Sequence, residues 1–145
     1  MEMLLIILQI FELFLSSNFE TDNAIHLIGK ADQKTSRRWT LVPKNDSFAN
    51  AYLFFETFSA GKDLMTTIEL KLKTPLITSL NDIESVFGPK EKWLPQKGIG
   101  RPKTLKFVKN LGQFYKGVAL FRVTSKKSQT DSIVIPSVLL RRIYE

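Results

Sequence analysis

The chain contains no cysteine among its 145 residues. Cysteine supplies disulfides, thiolate zinc ligands, nucleophilic thiols and the attachment site of a lipoprotein anchor, so all four are excluded. A chain of this length can bury enough surface to fold without cross-links. The absence of cysteine does not decide the cellular compartment.

Residues that do chemistry are also scarce. The chain has one histidine, His26, which we expect to be a surface or cap-adjacent residue of a short helix. The stretch Gly98–Arg101 lacks the third glycine of a phosphate-binding loop and does not join a strand to a helix. No carboxylates pair at a spacing that suggests general acid and base catalysis. We therefore predict a non-enzymatic protein with no catalytic residues, no metal site and no cofactor.

The chain has fewer acidic than basic residues, and the excess of basic residues is concentrated in one segment. The formal net charge is +7, from 21 basic and 14 acidic residues. Between Lys90 and Lys109 the only acid is Glu91. This segment could attract an acidic protein surface, a nucleic acid or an anionic lipid. The alternative is a solvated loop beside an edge strand that lysines protect from aggregation. Its basic residues are Lys90, Lys92, Lys97, Arg101, Lys103, Lys106 and Lys109.

The first segment, residues 1–17, is strongly apolar but does not read as a secretory leader. It has no basic start, and Glu12 interrupts the apolar run. It is also too short to span a bilayer securely. Its polar residues have helical spacing, which predicts a helix with one wet stripe formed by Glu2, Gln9, Glu12 and Ser16. A signal peptide is the alternative. The helix predicts a cytoplasmic protein, and a leader would predict export to the periplasm.

The rest of the chain shows two similar successions of elements. A short helix that ends at Gly29 is followed by three apparent strands, and a helix that ends at Gly88 by three more. In the third strand Leu64, Ile68, Leu70 and Leu72 alternate with polar residues, so we expect one covered face and one wet face. The predicted strands are Arg37–Lys44, Ala51–Phe58, Leu64–Lys73, Thr104–Asn110, Tyr115–Lys126 and Ser132–Ile143.

These observations predict an α+β fold of two tandem units. Residues 18–77 would form the first helix-plus-three-strand antiparallel meander and residues 78–145 the second. The helices would pack on one face of the sheet, because short hairpin-linked strands need cover on one side.

The helix–glycine–strand pattern resembles the β-lactamase-inhibitor-like unit, which also occurs in outer-membrane assembly lipoproteins of the SmpA/OmlA type. The residues that match are Ile83, Val86, Phe87, Gly88 and Pro89, and in the first copy Ile25, Leu27, Ile28, Gly29 and Lys30, with Trp39 as the aromatic strand residue. The resemblance implies a protein-binding scaffold whose exposed sheet face meets a partner, and no catalytic residues. The absent cysteines mean that neither the lipid anchor nor the inhibitors' disulfides carry over.

We therefore predict a protein-binding module, in the form of an inhibitor or an immunity-type antagonist, for a partner with an acidic surface. Binding of nucleic acid or of an anionic surface through residues 90–109 is the alternative, with aromatic residues such as Trp93, Phe107, Phe114 and Tyr115 available to stack on bases. The predicted partner-binding residues are Tyr52, Trp93, Lys97, Arg101, Lys103, Lys106, Lys109 and Tyr115.

Overall fold

The structure, a computed structural model, describes residues 1–58, 61, 63–89, 92–94, 103–113, 115–124 and 132–144. Its helices are α1 (Glu2–Phe14), α2 (Thr21–Ile28) and α3 (Leu80–Phe87). Its strands are β1 (Gly29–Lys34), β2 (Arg38–Pro43), β3 (Phe48–Thr57), β4 (Asp63–Ser79), β5 (Lys92–Leu94), β6 (Lys103–Gly112), β7 (Tyr115–Thr124) and β8 (Ser132–Tyr144).

All eight described strands belong to one antiparallel sheet, in the order β1-β2-β3-β4-β8-β7-β6-β5. The prediction of two tandem helix-plus-three-strand units is therefore wrong. The chain is α+β, but β4 pairs with β8 over a long ladder, from Thr67 opposite Arg141 to Ser79 opposite Ser132. The proposed boundary between residues 77 and 78 lies within β4. Two strands, β1 and β5, were not expected.

The two glycines that suggested a repeat have unlike surroundings. A Cβ atom built on Gly29 would lie 1.8 Å from the backbone oxygen of Val42, because β1 begins in close contact with β2. Gly88 ends α3 at φ +85°, and a Cβ atom there would meet nothing within 4 Å. One glycine is needed for a close backbone approach and the other for its left-handed conformation. The similarity of the two stretches is therefore local.

The two short helices begin with different capping arrangements. At α3 the side chain of Ser79 accepts a hydrogen bond from the backbone N–H of Asp82, at 3.1 Å. At α2 the cap is Glu20, in a reciprocal capping box with Asn23. Both arrangements satisfy backbone N–H groups that a helix start leaves unpaired.

Strand β4 continues through Pro75, where the sequence suggested that it ends. The ladder with β8 shifts register between Lys71, which pairs with Ser137, and Leu76, which pairs with Ile135. Pro75 on β4 and Pro136 on β8 both fall in this irregular stretch. A proline cannot donate a ladder hydrogen bond, and a bulge removes that requirement. The bulge is therefore what allows β4 to run for 17 residues.

The hydrophobic core lies between one face of the sheet, here called the inner face, and the helices. Leu4, Ile7 and Phe14 of α1 are fully buried, and they belong to the same cluster as Ile68 of β4 and Phe121 of β7. Burying each such side chain contributes about 1.5–3 kcal/mol. Helix α1 is thus an integral part of the fold. In the described part of the chain, no helix is long and apolar enough to cross a membrane.

A buried arginine ties three parts of the chain together. Arg142, on the inner side of β8, is 8% exposed. Its guanidinium donates hydrogen bonds to the backbone oxygens of Phe14 (3.2 Å), Phe19 (3.1 Å) and Met65 (2.6 Å). It also lies 4.4 Å from the centre of the Phe14 ring. Arg142 therefore joins the end of α1 and the start of β4 to the last described strand.

Candidate partner-binding surface

The opposite side of the sheet, here called the outer face, is the candidate functional surface. The ladder pairs place its side chains in three rows across the strands, because residues directly opposite each other point to the same face. The first row is Arg38, Phe54, Thr67, Arg141, Val118 and Val108. The middle row is Thr40, Tyr52, Glu69, Leu139, Leu120 and Lys106, and the third is Asn50, Lys71, Ser137, Arg122 and Thr104.

The three described helices leave the outer face uncovered. Helix α1 packs into the inner-face cluster, and none of the aliphatic residues in the three outer rows belongs to that cluster. Val118 is nevertheless only 2% exposed. Its neighbours in the row are Val108 and Arg141, and an arginine stem is long enough to cover a valine. Leu120 and Leu139, paired across β7 and β8, are half-buried. The outer face therefore has a compact aliphatic centre.

Charge on the outer face is mostly positive and surrounds this centre. The three rows carry five cations, Arg38, Lys71, Lys106, Arg122 and Arg141, and one carboxylate, Glu69. Arg141 forms an ion pair with Glu56, with 3.8 Å between nitrogen and oxygen. Among the described residues, no carboxylate forms an ion pair with Arg38, Lys71 or Arg122. Each of these three side chains is exposed.

Two of these cations converge on one aromatic ring. The guanidinium carbon of Arg38 lies 5.5 Å from the centre of the Tyr52 ring, and the Lys71 Nζ lies 5.4 Å from it. Both distances lie within the range of a cation–π attraction. The Phe54 ring is tilted against Tyr52 at a centroid distance of 6.4 Å. Tyr52 is therefore held in place by its neighbours at one end of the outer face.

The structure separates the residues that the sequence grouped as one binding segment. Tyr52 and Lys106 belong to the middle row of the outer face. Lys109 pairs with Gly117, on the inner side, and its Nζ lies 3.9 Å from the Glu12 carboxylate of α1. The backbones of Trp93 and Lys103 belong to β5 and β6. Lys97 and Arg101 lie outside the described residues. Lys106 and Lys109 of this segment therefore lie on opposite sides of the sheet.

Tyr115 contacts other parts of the fold instead of lying on the outer face. Its hydroxyl donates a hydrogen bond to the backbone oxygen of Leu15, at 3.2 Å, and its ring stacks on Tyr144 at 4.9 Å. Burial, and after it the charge of Tyr144, raises the pKa of the Tyr115 phenol above its usual 10.0. The neutral phenol is thus favoured where the ring joins α1 to the end of the sheet.

Sequence reasoning missed Arg38, Arg122, Leu120 and Leu139. The alternation of β4 did place Glu69 and Lys71 on a wet face, and the same two-residue period in β7 could have placed Leu120 and Arg122 together. What no local pattern gives is the pairing of β4 with β8, which brings the two sets of residues onto one surface.

A cleft near the start of α2 gathers several ionisable groups. It has a volume of about 300 Å³ and is lined by Phe19, Glu20, Thr21, Asp22, Phe55, Asp63, Leu64, Met65 and Arg142. Arg142 is committed to backbone oxygens, Glu20 caps α2, and Asp63 accepts a hydrogen bond from the Thr57 hydroxyl at 2.5 Å. These contacts give Arg142, Glu20 and Asp63 structural roles. No cluster of metal-ligating side chains occurs among the residues described.

Comparison with known proteins gives few matches. No family model matches the chain, and no curated protein does. Among solved structures, the thermo- and acido-stable ORF-99 from the archaeal virus AFV1 aligns with 55% of this chain and 76% of its own, at 8% identity and a TM-score of 0.43. ORF14 from Sulfolobus islandicus filamentous virus aligns with 53% of this chain and 68% of its own, at 14% identity and a TM-score of 0.43. At this level neither similarity supports an argument about fold or function. Neither is a β-lactamase-inhibitor or SmpA/OmlA-like protein, and that resemblance stays a prediction.

Proposed function

We propose that this protein is a non-enzymatic binding module that holds an acidic partner protein on the outer face of its sheet. The observation that carries the proposal is the pattern of that face. Leu120, Leu139 and Val118 form an aliphatic centre. Three cations of the same face, Arg38, Lys71 and Arg122, form no ion pair with a carboxylate among the described residues. Protein interfaces commonly place a charge-poor apolar centre inside a polar rim.

The excess of positive charge indicates the sign of the partner. Arg38, Lys71 and Arg122 are exposed and pair with no described carboxylate, so they are available to an external anion. Complementary charge speeds association and selects against partners of like charge. It also disfavours docking of two outer faces against each other, because their cations would meet.

The aromatic residues favour a protein over single-stranded nucleic acid. Base stacking needs an accessible ring face. Phe107 is 2% exposed, and Tyr115 is stacked on Tyr144. Cations already contact the Tyr52 ring. Phe114 and the side chain of Trp93 lie outside the described part of the structure. The inhibitor or immunity role, the cytoplasmic location and the nucleic-acid alternative stay predictions.

The first experiment identifies the partner and then tests the surface. The wild-type protein is used for affinity capture, and the captured protein is identified, purified and titrated by calorimetry. The double variant Leu120→Thr/Leu139→Thr should raise the dissociation constant by roughly tenfold or more, since truncated residues at an interface centre commonly cost over 1 kcal/mol. Threonine preserves the strand propensity of both positions.

The control removes apolar surface on the opposite side of the molecule. Leu5 and Leu13 of α1 are 53% and 42% exposed, and Leu5→Gln/Leu13→Gln should leave the affinity unchanged. Thermal melts establish that both double variants are folded. Equal losses in the two variants would contradict the proposal. Tighter, salt-dependent binding of a single-stranded oligonucleotide, lost in the outer-face variant, would favour the nucleic-acid alternative.

A further inference from the structure

We infer that the outer face binds its partner through one amphipathic α-helix, which lies along β8 and carries acidic residues on both flanks. The inference rests on the proposed function and names the element of the partner that makes the contact. Three observations carry it: a second aliphatic site beyond the bulge of β4 and β8, cations on both sides of β8, and the complete pairing of the strands beneath.

The ladder beyond the bulge adds a fourth row of side chains to the outer face. Ile77 of β4 pairs with Val134 of β8, and Thr124 of β7 pairs with the same valine. Leu76 and Ile135, one position away, pack with the inner-face cluster. Because successive side chains of a strand alternate between faces, Ile77 and Val134 belong to the outer face. This pair is here called the second aliphatic site.

Ile77 gives the second aliphatic site an accessible surface. Its side chain is 66% exposed, the largest fraction among the large hydrophobic side chains that the structure describes, whereas Val134 beside it is 8% exposed. The site lies on the same face as the aliphatic centre around Leu120 and Leu139. Two apolar contacts are therefore available to one partner.

The spacing of the two apolar contacts suits one face of a helix. Leu139 and Val134 are five residues apart on β8, which corresponds to about 15 Å. A helix rises that far in about ten or eleven residues, and the residue eleven positions on returns to the same face. Ser137, between the two sites, has a short side chain and is 6% exposed, so a helix can approach the sheet closely there.

Cations lie on both sides of this line. Ser137 pairs with Lys71 of β4 on one side and with Arg122 of β7 on the other, and both cations are exposed. Adjacent strands are about 4.8 Å apart. The backbones of the two cations are therefore roughly 10 Å apart, close to the diameter of a helix. Acidic residues on both flanks of a docked helix would each meet a cation.

Glu69 is the exception to the positive charge and restricts the orientation of the helix. It pairs with Leu139 and is half-buried. A carboxylate of the partner at this level would be repelled. We therefore expect a neutral or basic residue of the partner beside Glu69, and acidic residues beside Lys71 and Arg122.

The pairing of the strands favours a helix over an extended segment. Strand β8 is paired with β4 on one side and with β7 on the other, so it offers no free edge to an added strand. An extended segment lying on the face would leave its own backbone N–H and C=O groups against aliphatic side chains without partners. A helix pairs these groups internally and presents only side chains.

The probe for the test is a fluorescein-labelled 18-residue peptide of alanine, glutamate and leucine, with leucines at positions 4, 8, 11 and 15 on one face of a helix. One control peptide has the same composition with the leucines spread around the helix. A second has proline at a central alanine, which breaks the helix. Anisotropy titrations should give the designed peptide a dissociation constant at least about tenfold lower than either control.

The variant Ile77→Thr tests the second aliphatic site. It should weaken binding of the designed peptide about fivefold, because threonine preserves the strand propensity and removes apolar surface. The matched control is Val42→Thr. Val42 is 57% exposed and lies on the outer face of β2, two strands away from β4, so its replacement should change binding less than about twofold. Thermal melts establish that both variants are folded.

Three results would overturn the inference. The first is no measurable binding of the designed peptide, or equal binding of the designed and redistributed peptides, which would leave only general attraction of charge. The second is undiminished binding of the proline peptide, and the third is an equal effect of Ile77→Thr and Val42→Thr. The proposed function is judged separately, with the captured partner. If Leu120→Thr/Leu139→Thr weakens binding of that partner and Ile77→Thr does not, the docked helix fails while the proposed function stands.

Discussion

Gly29 shows how a single residue fixes the first edge of the sheet. A side chain there would overlap the carbonyl group of Val42, with 1.8 Å between Cβ and oxygen. The neighbour is backbone in a paired strand, so it cannot move aside as a flexible side chain would. Gly112, by contrast, has nothing within 4 Å of the same position.

We predict that Gly29→Ala lowers the free energy of unfolding by about 3 kcal/mol, the upper end of the usual range for overpacking. Gly112→Ala should change it by less than about 1 kcal/mol, because alanine restricts the unfolded chain without a clash. Urea unfolding followed by far-ultraviolet circular dichroism measures both variants. Similar values for the two would show that β1 adjusts its position.

At the scale of elements, two neighbouring arginines of β8 do different work. Arg142 points to the inner face and binds the backbone oxygens of Phe14, Phe19 and Met65. Arg141 points to the outer face, where its pairing with Glu56 is solvent-exposed. Because successive side chains of a strand point to opposite faces, Arg142 binds the end of α1 and Arg141 is a surface charge.

We predict that Arg142→Met destabilises the fold by about 2–3 kcal/mol, because buried carbonyl groups lose charge-assisted hydrogen bonds. Methionine keeps a comparable apolar stem. The control, Arg141→Met, should cost less than about 1 kcal/mol, as exposed ion pairs do. Urea unfolding again gives the difference, and equal costs would mean that the bonds to α1 contribute little.

The same strands show how far local sequence patterns reach. The alternation in β4 correctly separated Ile68, Leu70 and Leu72 from Glu69 and Lys71. It misplaced Leu64, which is 39% exposed, because a register shift beside Phe54 and Phe55 puts Met65 in the core instead. A bulge moves every residue beyond it to the opposite face of the sheet. The position of a bulge cannot be predicted from the sequence of either strand alone.

At the scale of the whole molecule, the sequence predicted two tandem units, whereas the described strands form one continuous sheet. The helices, the glycines that end α2 and α3, and six of the strands were visible in local patterns. The pairing of β4 with β8 was not, because it joins residues such as Thr67 and Arg141 that are distant in sequence. The outer face is formed by that pairing. Because the pairing was not predicted, the binding site was assigned to the basic segment 90–109 instead of to this surface.

We predict that the two edges of the sheet unfold together. Trp39 lies on β2 and Trp93 on β5, in opposite halves of the strand order. The variants Trp93→Phe and Trp39→Phe each leave one reporter. In each variant, tryptophan fluorescence and circular dichroism should give the same urea midpoint, as a two-state transition requires. Separate midpoints would mean that the halves are independently stable.

The central position of β4 and β8 also has a consequence for biosynthesis. While the ribosome is still adding β5 to β7, β4 has a neighbour on one side only, and its other hydrogen-bonding edge is bare until residues 132–144 emerge. Such an edge can pair with the wrong strand, including the β4 of another nascent chain. The lysines at positions 71 and 73, on that strand, are residues of the kind that deter such pairing. The interval between the synthesis of β4 and the emergence of β8 is therefore the period in which we expect this protein to be most prone to aggregation.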